Sequence, residues 1–360
     1  MKMKAILLFS LFVSVSVLMA VGETAVPFVT ISPGARSGAM GETGTAHSNN
    51  ANAIFYNAAL LAYQYDQEYK IGENKFEANL MHSKWLPKFN FDDLFYDFVG
   101  ARYYIDDFGM VAISLTFLNL GTNQYTDTEG NLLGTFDSNE MALTAGYSFF
   151  LQENLSLGTN LKYIYSNLSS VTVENESGTG QSSGFAIDLG MVWKPETFED
   201  KFTLGVAVNN IGPSMTYIDK DQADPLPTML RIGVAYEFEL DEFNKLIATY
   251  ETTRLLIYKD GTVADPVLEA MLWTTWTGPT LEESLRKFTH AIGVEYGYSE
   301  LFFIRGGYFY EHPDEGDRNF FTMGVGLAIE MLKFDFSYIY TTDENHPLGE
   351  TLRFSLGVAI

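Results

Sequence analysis

The 360-residue chain carries 46 acidic and 22 basic residues, a formal net charge of -24, and no cysteine. This charge excludes a nucleic-acid partner, because a nucleic-acid binder neutralises phosphates with a basic surface. Without cysteine there is no disulfide framework and no thiol chemistry. Aromatic residues make up 15% of the chain, and this composition suits strands that pack closely and anchor at a membrane interface.

Residues 1–22 have the layout of a secretory signal peptide. Two lysines precede an apolar run over residues 5–19, and the small residues Ala20 and Gly22 follow. The run is too short for a comfortable membrane-spanning helix, and no later segment offers about 20 uninterrupted apolar residues. We therefore expect an exported protein that, if it spans a membrane, does so as a β-barrel.

Residues 23–75 do not follow the strand pattern of the rest of the chain. They begin with a stretch rich in Gly, Pro and small polar residues, and they contain an apolar cluster at residues 54–61. One interpretation is a flexible leader. The other is a hatch folded into the barrel lumen from the periplasmic side, which the cluster favours because it needs burial. Arg36, Met40 and Asn57 are the lumenal candidates of this segment, called the hatch below.

Residues 76–360 fall into segments of about ten residues with period-two alternation, the length a tilted strand needs to cross a bilayer. In the last segment Leu352, Phe354 and Leu356 share one face, while the intervening residues are small or polar. The pattern predicts an all-β fold, a 14-stranded antiparallel transmembrane β-barrel. The predicted strands start near Phe76, Val99, Gly109, Asn139, Leu155, Gly184, Phe202, Met229, Asn244, Phe288, Leu301, Asn319, Leu332 and Glu350.

The predicted connections alternate in length along the chain. Long ones are expected at residues 86–98, 121–138, 167–183, 212–228, 252–287, 311–318 and 341–349, and short or medium ones between them. Outer-membrane barrels have short periplasmic turns and long extracellular loops. We therefore expect an integral outer-membrane protein with both termini in the periplasm, in contact with membrane lipid.

The sequence contains almost no motif that marks a catalytic or metal-binding site. The five histidines have no metal-ligand spacing, and no nucleophile elbow or phosphate-binding loop occurs. We expect no enzyme, no metal and no cofactor. Charged residues on the small-residue face are expected to form lumenal networks, with a transport pathway as the other interpretation. They are Arg102, Lys162, Asp188, Arg231, Glu295, Arg305, Asp335 and Arg353, of which Arg231, Arg305 and Arg353 join the lumenal candidates.

The long connections hold the candidates for partner binding. The longest carries Trp273 and Trp276, and exposed tryptophans favour contact with a partner. Burial within the fold of the loop itself is the alternative. The remaining candidates are Phe309, His312, His346, Pro347 and Leu348.

Five stretches carry a family resemblance. Residues 26–41 and 52–59 resemble the N-terminal signature of the PorV family, an outer-membrane component of the type IX secretion system. Residues 161–166, 320–326 and 345–354 are also similar to it, so the resemblance spans nearly the whole mature chain in order. One departure is the C-terminus, where Ile360 stands in place of a terminal aromatic.

The resemblance implies a FadL-like, fourteen-stranded barrel with an N-terminal segment in its lumen. It also implies a shuttle that binds the large translocon barrel and the C-terminal domains of secreted cargo, and delivers cargo to the cell-surface attachment complex. A FadL-like channel for hydrophobic solutes is the alternative, and it predicts an apolar lumenal pocket. A third hypothesis, an enzyme acting on lipid A, needs a Ser–His pair facing lipid, and none is visible.

Overall fold

The computed structural model describes residues 24–89, 91–127, 129–171, 180–217, 223–260, 263–277 and 280–360. The predicted signal peptide, residues 1–22, lies outside this part of the chain. Fourteen long strands of the described residues close into one barrel in which every neighbouring pair is antiparallel. The predicted all-β barrel is therefore confirmed.

The barrel strands follow one another around the wall in chain order, and β1 pairs with β14 to close it. They are β1 Phe76–Lys84, β2 Leu94–Ile105, β3 Gly109–Thr126, β4 Leu132–Gln152, β5 Leu155–Asn167, β6 Gln181–Trp193, β7 Phe202–Ile211, β8 Met229–Glu239, β9 Asn244–Leu255, β10 Phe288–Tyr298, β11 Phe302–Tyr310, β12 Asn319–Ile329, β13 Leu332–Tyr340 and β14 Leu352–Ala359. Lys259–Asp260 and Val263–Ala264 form a separate two-stranded sheet.

Short helices occur before β1 and in the connections. The α-helices are α1 Ala35–Gly38, α2 Ala53–Tyr56, α3 Val267–Leu272 and α4 Leu281–Arg286. Single 3₁₀ segments cover Pro27–Thr30, Ala58–Gln64, Pro87–Phe89, Glu196–Phe198 and Thr274–Trp276. None of the helices in the described residues has the length and apolar character that crossing a membrane requires.

The alternation of side chains follows the prediction. On β14, Phe354 is 54% exposed on the outer face, while the neighbouring Arg353 is 1% exposed on the inner face. Large apolar side chains therefore face outward, and small or charged ones face the lumen, as in a membrane barrel.

One predicted connection is wrong. Residues 121–138 were expected to form a long loop, but most of them extend β3 and β4 as a hairpin, with a register shift between Asn119 and Thr122. For the same reason β4 begins at Leu132 rather than near Asn139, and β2 begins at Leu94 rather than near Val99. These extensions do not alternate regularly between apolar and polar residues, so the pattern did not reveal them.

The connections still alternate between longer and shorter ones along the chain, and this defines two ends of the barrel. The long-connection end includes residues 168–180, 212–228 and 256–287, and the short-connection end includes residues 153–154 and 330–331. The hatch crosses the lumen from one end to the other. Near its start, the Ala25 amide donates to Pro225 O at 2.9 Å in a long connection, and later the Tyr63 ring lies 4.7 Å from that of Phe150 at the short-connection end.

The two ends of the described chain consequently lie at opposite ends of the barrel. Ile360 exchanges backbone hydrogen bonds with Phe76 at the short-connection end, whereas residues 24–31 lie at the long-connection end. The expectation that both termini share the periplasmic side therefore does not hold for residues 24–31. An even number of strands requires only that the first strand begins and the last strand ends at the same end of the barrel. The segment before β1 is not part of this count and can cross the lumen.

Candidate functional site

Ion pairs join the hatch to the inner wall of the barrel. The Arg36 guanidinium donates to both carboxylate oxygens of Glu295 on β10, at 2.8 and 2.7 Å. Glu295 also accepts from Arg305 on β11, which donates in turn to Asp335 on β13. These four side chains are at most a tenth exposed. They place two cations against two anions, which is how buried charges avoid a large desolvation cost.

Two further sets of polar contacts join the hatch to the wall. Arg353 on β14 donates to Glu42 at 2.6 Å. Glu251 on β9 accepts the backbone amides of Gly44 and Thr45 at 2.8 and 2.9 Å and pairs with Arg231 at 3.1 Å. The hatch therefore contributes backbone donors as well as side chains. Both oxygens of the Glu251 carboxylate accept hydrogen bonds.

Met40 and Asn57 fix the hatch by contact with the wall. Met40 is completely buried, and its carbonyl oxygen lies 2.5 Å from where a Cβ would stand on Gly293 of β10. Asn57 donates to Thr45 O at 3.2 Å and to Met191 O at 3.0 Å. All six lumenal candidates, Arg36, Met40, Asn57, Arg231, Arg305 and Arg353, are thus buried between hatch and wall.

Glycines on the inner wall let the hatch backbone approach this closely. A Cβ on Gly307 of β11 would lie 2.1 Å from the amide nitrogen of Gly41, and one on Gly158 of β5 would lie 2.3 Å from that of Ala59. Real Cβ atoms do not come so close to backbone atoms. The small-residue face therefore serves as a seat for the hatch.

Apolar side chains of the hatch and of the connection after β7 pack together in the lumen near the long connections. Residues 212–217 and 223–228 fold inward after β7, so that Met215 and Leu226 are almost completely buried. They belong to one core cluster with Val26 and Phe28 of the hatch and with Phe98 of the wall. The protein's own side chains therefore occupy apolar space at this end of the lumen.

His47 is an uncharged member of the hatch network. It contacts the Thr43 hydroxyl at 2.8 Å, and its backbone carbonyl accepts from Arg36. Burial lowers the pKa of His47 to about 3, and the neighbouring Arg36 cation lowers it as well. Protonating this imidazole would place a second cation beside Arg36, so the docked hatch keeps it neutral.

The connection between β9 and β10 exposes an apolar surface. Leu272 and Trp273 are 69% and 67% exposed at the end of α3, and Leu281 is 77% exposed at the start of α4. Leu268 and Leu285 in the same two helices are 59% and 58% exposed, and we call these five residues of the connection the apolar ridge. Exposed apolar groups gathered in this way mark interaction sites more often than isolated ones do.

Trp276 lies beside the ridge but is partly engaged. Its ring covers the guanidinium of Arg254 at 4.3 Å, and its indole nitrogen donates to Met271 O at 2.8 Å. Both tryptophans predicted to meet a partner are exposed, Trp273 at 67% and Trp276 at 42%. The four leucines of the ridge were missed by sequence reasoning, and their spacing of four residues within each short helix was the available signal.

The remaining partner-binding candidates are less exposed than expected. Phe309 is not in a connection; it lies in β11, and its ring stacks on that of buried Phe320 at 5.0 Å. The His346 ring meets Phe320 edge-on at 6.1 Å, and its Nδ1 accepts the Leu348 amide. Burial lowers the pKa of His346. His312 accepts the Asp314 amide within its own turn, and Pro347 is half-buried.

The described residues contain no group of three or more metal-ligating side chains arranged to hold an ion. The two strand histidines bond to neighbours other than serine: His82 to Asp97 at 2.6 Å and His290 to Tyr250 at 2.7 Å.

A closed barrel with a hatch through its lumen defines the class of protein: a FadL-like outer-membrane β-barrel. The fold is similar to that of the Pseudomonas putida toluene transporter TodX, at 14% identity and a TM-score of 0.55 over 91% of this chain and 99% of that one. It is also similar to the CymD monoaromatic hydrocarbon channel, at 14% identity and a TM-score of 0.53 over 93% and 99%. These identities show the fold alone.

The sequence identifies the family within this class. Residues 18–261 match the family described as "Type IX secretion system protein PorV". The chain therefore belongs to the PorV family, as its N-terminal stretches indicated, and it is an outer-membrane component of the type IX secretion system. Among curated proteins, no sequence matches this chain.

Proposed function

We propose that this protein binds and shuttles secreted cargo. In this proposal it docks on the large translocon barrel, receives cargo by its C-terminal domain and delivers it to the cell-surface attachment complex. The long-connection end faces outward, and the short-connection end with Ile360 faces the periplasm. The protein carries out no bond chemistry and needs no cofactor.

The observation that carries the proposal is the occupied lumen. Hatch residues hold the inner wall through Arg36, Glu42 and the amides of residues 44 and 45. Apolar side chains of the hatch pack with Met215, Leu226 and wall residues in one buried cluster. A protein built this way supports function on its outer surface rather than conduction through its centre.

The apolar ridge supports the same proposal. Interface hot spots are enriched in tryptophan and are surrounded by apolar contacts that exclude water. Trp273 offers such an anchor, and its neighbour in sequence, Leu272, is exposed as well. We assign the ridge to contact with the translocon barrel or with the cargo domain.

The alternative, a channel for hydrophobic solutes, rests on the fold shared with TodX and CymD. Such a channel needs an apolar lumenal pocket. The large lumenal cavity among the described residues is not wholly apolar, because the charged groups Arg36, Glu295 and Asp335 line it together with Ile247 and Phe303. The shuttle is therefore the better supported function.

Deleting the gene tests the shuttle against the channel. We expect cargo with C-terminal sorting domains to accumulate in the periplasm, and pulldown of the tagged protein from solubilised membranes to recover a very large barrel. Normal cargo secretion with defective uptake of hydrophobic solutes would overturn the proposal.

A paired variant tests the ridge. Leu272→Ser combined with Trp273→Ser is expected to lower recovery of the translocon or cargo about tenfold or more, the range of a lost hot spot. Leu240→Ser is the control, because Leu240 is 58% exposed but lies at the short-connection end. Equal loss in both variants, or loss in neither, would refute the assignment of the ridge.

A further inference from the structure

The hatch leaves one part of the lumen open. A cavity of about 560 Å³ lies between the hatch residues Arg36, Asn49 and Asn50 and the inner faces of β8 to β13. The turn residues Phe243 and Ser299 also line it, so it opens at the short-connection end. Its volume is in the range of pockets that hold ligands, about 300–1,000 Å³.

The floor of the cavity is electrically balanced. Arg36 and Arg305 both bond to Glu295, and Arg305 also bonds to Asp335. Two cations therefore meet two anions, and every one of these side chains is already paired. The floor presents polar edges to a ligand without excess charge of either sign.

The mouth of the cavity is acidic. Glu237, Glu242 and Glu300 line it together with Lys245, whose ammonium lies 2.8 Å from Glu300 and 3.7 Å from Glu237. Glu242 has no hydrogen bond or ion pair with any described residue. Lys333 also lines the cavity, but its ammonium is directed to Glu77, at 3.9 Å. Excess negative charge at a concave opening attracts cations.

The side wall between floor and mouth is partly apolar. Ile247 and Phe303 are half-buried lumenal residues, and Phe243 is 53% exposed at the rim. A bound metal ion or small polyamine would leave these side chains in water. A peptide that carries both basic and apolar side chains would cover them and meet the carboxylates at once.

We propose that this cavity is a binding site for a basic, amphipathic peptide segment of a protein facing the short-connection end. Lysine or arginine side chains of the segment meet Glu242 and Glu300, and its apolar side chains cover Ile247 and Phe303. The site lies at the opposite end from the ridge and does not depend on the proposed shuttling of cargo.

The test uses the full-length protein in a neutral detergent and a fluorescent eight-residue peptide of alternating lysine and leucine. We expect saturable binding that weakens with salt, and Glu242→Gln combined with Glu300→Gln should weaken it about tenfold or more, as for lost charge pairs at an interface. Asp265→Asn combined with Glu269→Gln is the matched control, with the same charge change at the long-connection end.

Binding that both double variants weaken equally would reduce the effect to overall charge and overturn the proposal. The absence of cysteine allows a second readout. Ala328 lines the cavity, so a quencher on Ala328→Cys should quench the bound peptide, whereas one on Thr277→Cys in the β9–β10 connection should not. Quenching from the second position alone would likewise overturn the site.

Discussion

Apolar residues are buried in the hatch but exposed in the β9–β10 connection. In the hatch, Ile54, Tyr56 and Leu61 are completely buried against the wall. In the connection, Leu272, Trp273 and Leu281 are mostly exposed. Both segments contain short helices and precede a barrel strand. The difference is that the hatch meets ion pairs and glycines placed to receive it, whereas the ridge has no counterpart among the described residues.

Removing the central carboxylate should have the largest effect on the hatch. Glu295→Gln leaves Arg36 and Arg305 buried without their shared anion, and breaking a buried pair in this way costs about 3–5 kcal/mol. We expect the hatch to become sensitive to protease and the thermal midpoint to fall. Asp106→Asn, which breaks the exposed pair with Lys75, should change neither the protease sensitivity nor the thermal midpoint. An equal effect of both variants would refute the role of the Glu295 ion pairs in holding the hatch.

Two adjacent glycines test the seat of the hatch. Gly307→Ala places a Cβ into the backbone of Met40 and Gly41, whereas Gly306→Ala meets its nearest atom at 3.9 Å. Overpacking of a tight contact costs about 1–3 kcal/mol. Protease cleavage of the hatch should therefore rise for Gly307→Ala and stay unchanged for Gly306→Ala. Similar behaviour of both variants would show that the close approach is unimportant.

Acid should loosen the hatch through His47. The pKa of this group falls from 6.5 to about 3 on docking, so between these values the released state binds a proton that the docked state does not. Docking is then weakened as pH falls below 6.5, by roughly 1.4 kcal/mol per pH unit. His47→Gln should reduce the pH dependence of protease protection between pH 6.5 and 4. An unchanged profile in the variant would assign the effect to other groups.

Variants of the ridge should have the smallest effect on stability. Leu272→Ser combined with Trp273→Ser removes side chains that are mostly in water, and such surface changes usually stay within about 0.5 kcal/mol. The thermal midpoint should match that of the unaltered protein even though partner recovery falls. A large loss of stability would mean that the ridge packs on the barrel, and the contrast with the hatch would disappear.

Period-two alternation was sufficient to predict the barrel, because lipid on one side and the hatch on the other impose opposite demands on alternate residues. The same signal failed for residues 121–138, where the strands continue without alternating apolar and polar residues. The pairing of the hatch with its acidic partners was not predictable, since Arg36 and Glu295 are far apart in sequence and only the closed barrel brings them together. The four leucines of the ridge escaped detection because a six-residue helix shows less than two turns of pattern.

The closure of the wall has a consequence for the order of assembly. Phe76 and Ile360 exchange hydrogen bonds at the seam, and the hatch is bonded on both sides of it: the Ala35 amide donates to Ser355 on β14, and Tyr96 on β2 donates to Ile31 O. These contacts join the segment to both strands that flank the seam. We therefore expect the segment to be in place before the last strand joins the first, so that the barrel closes around its own beginning.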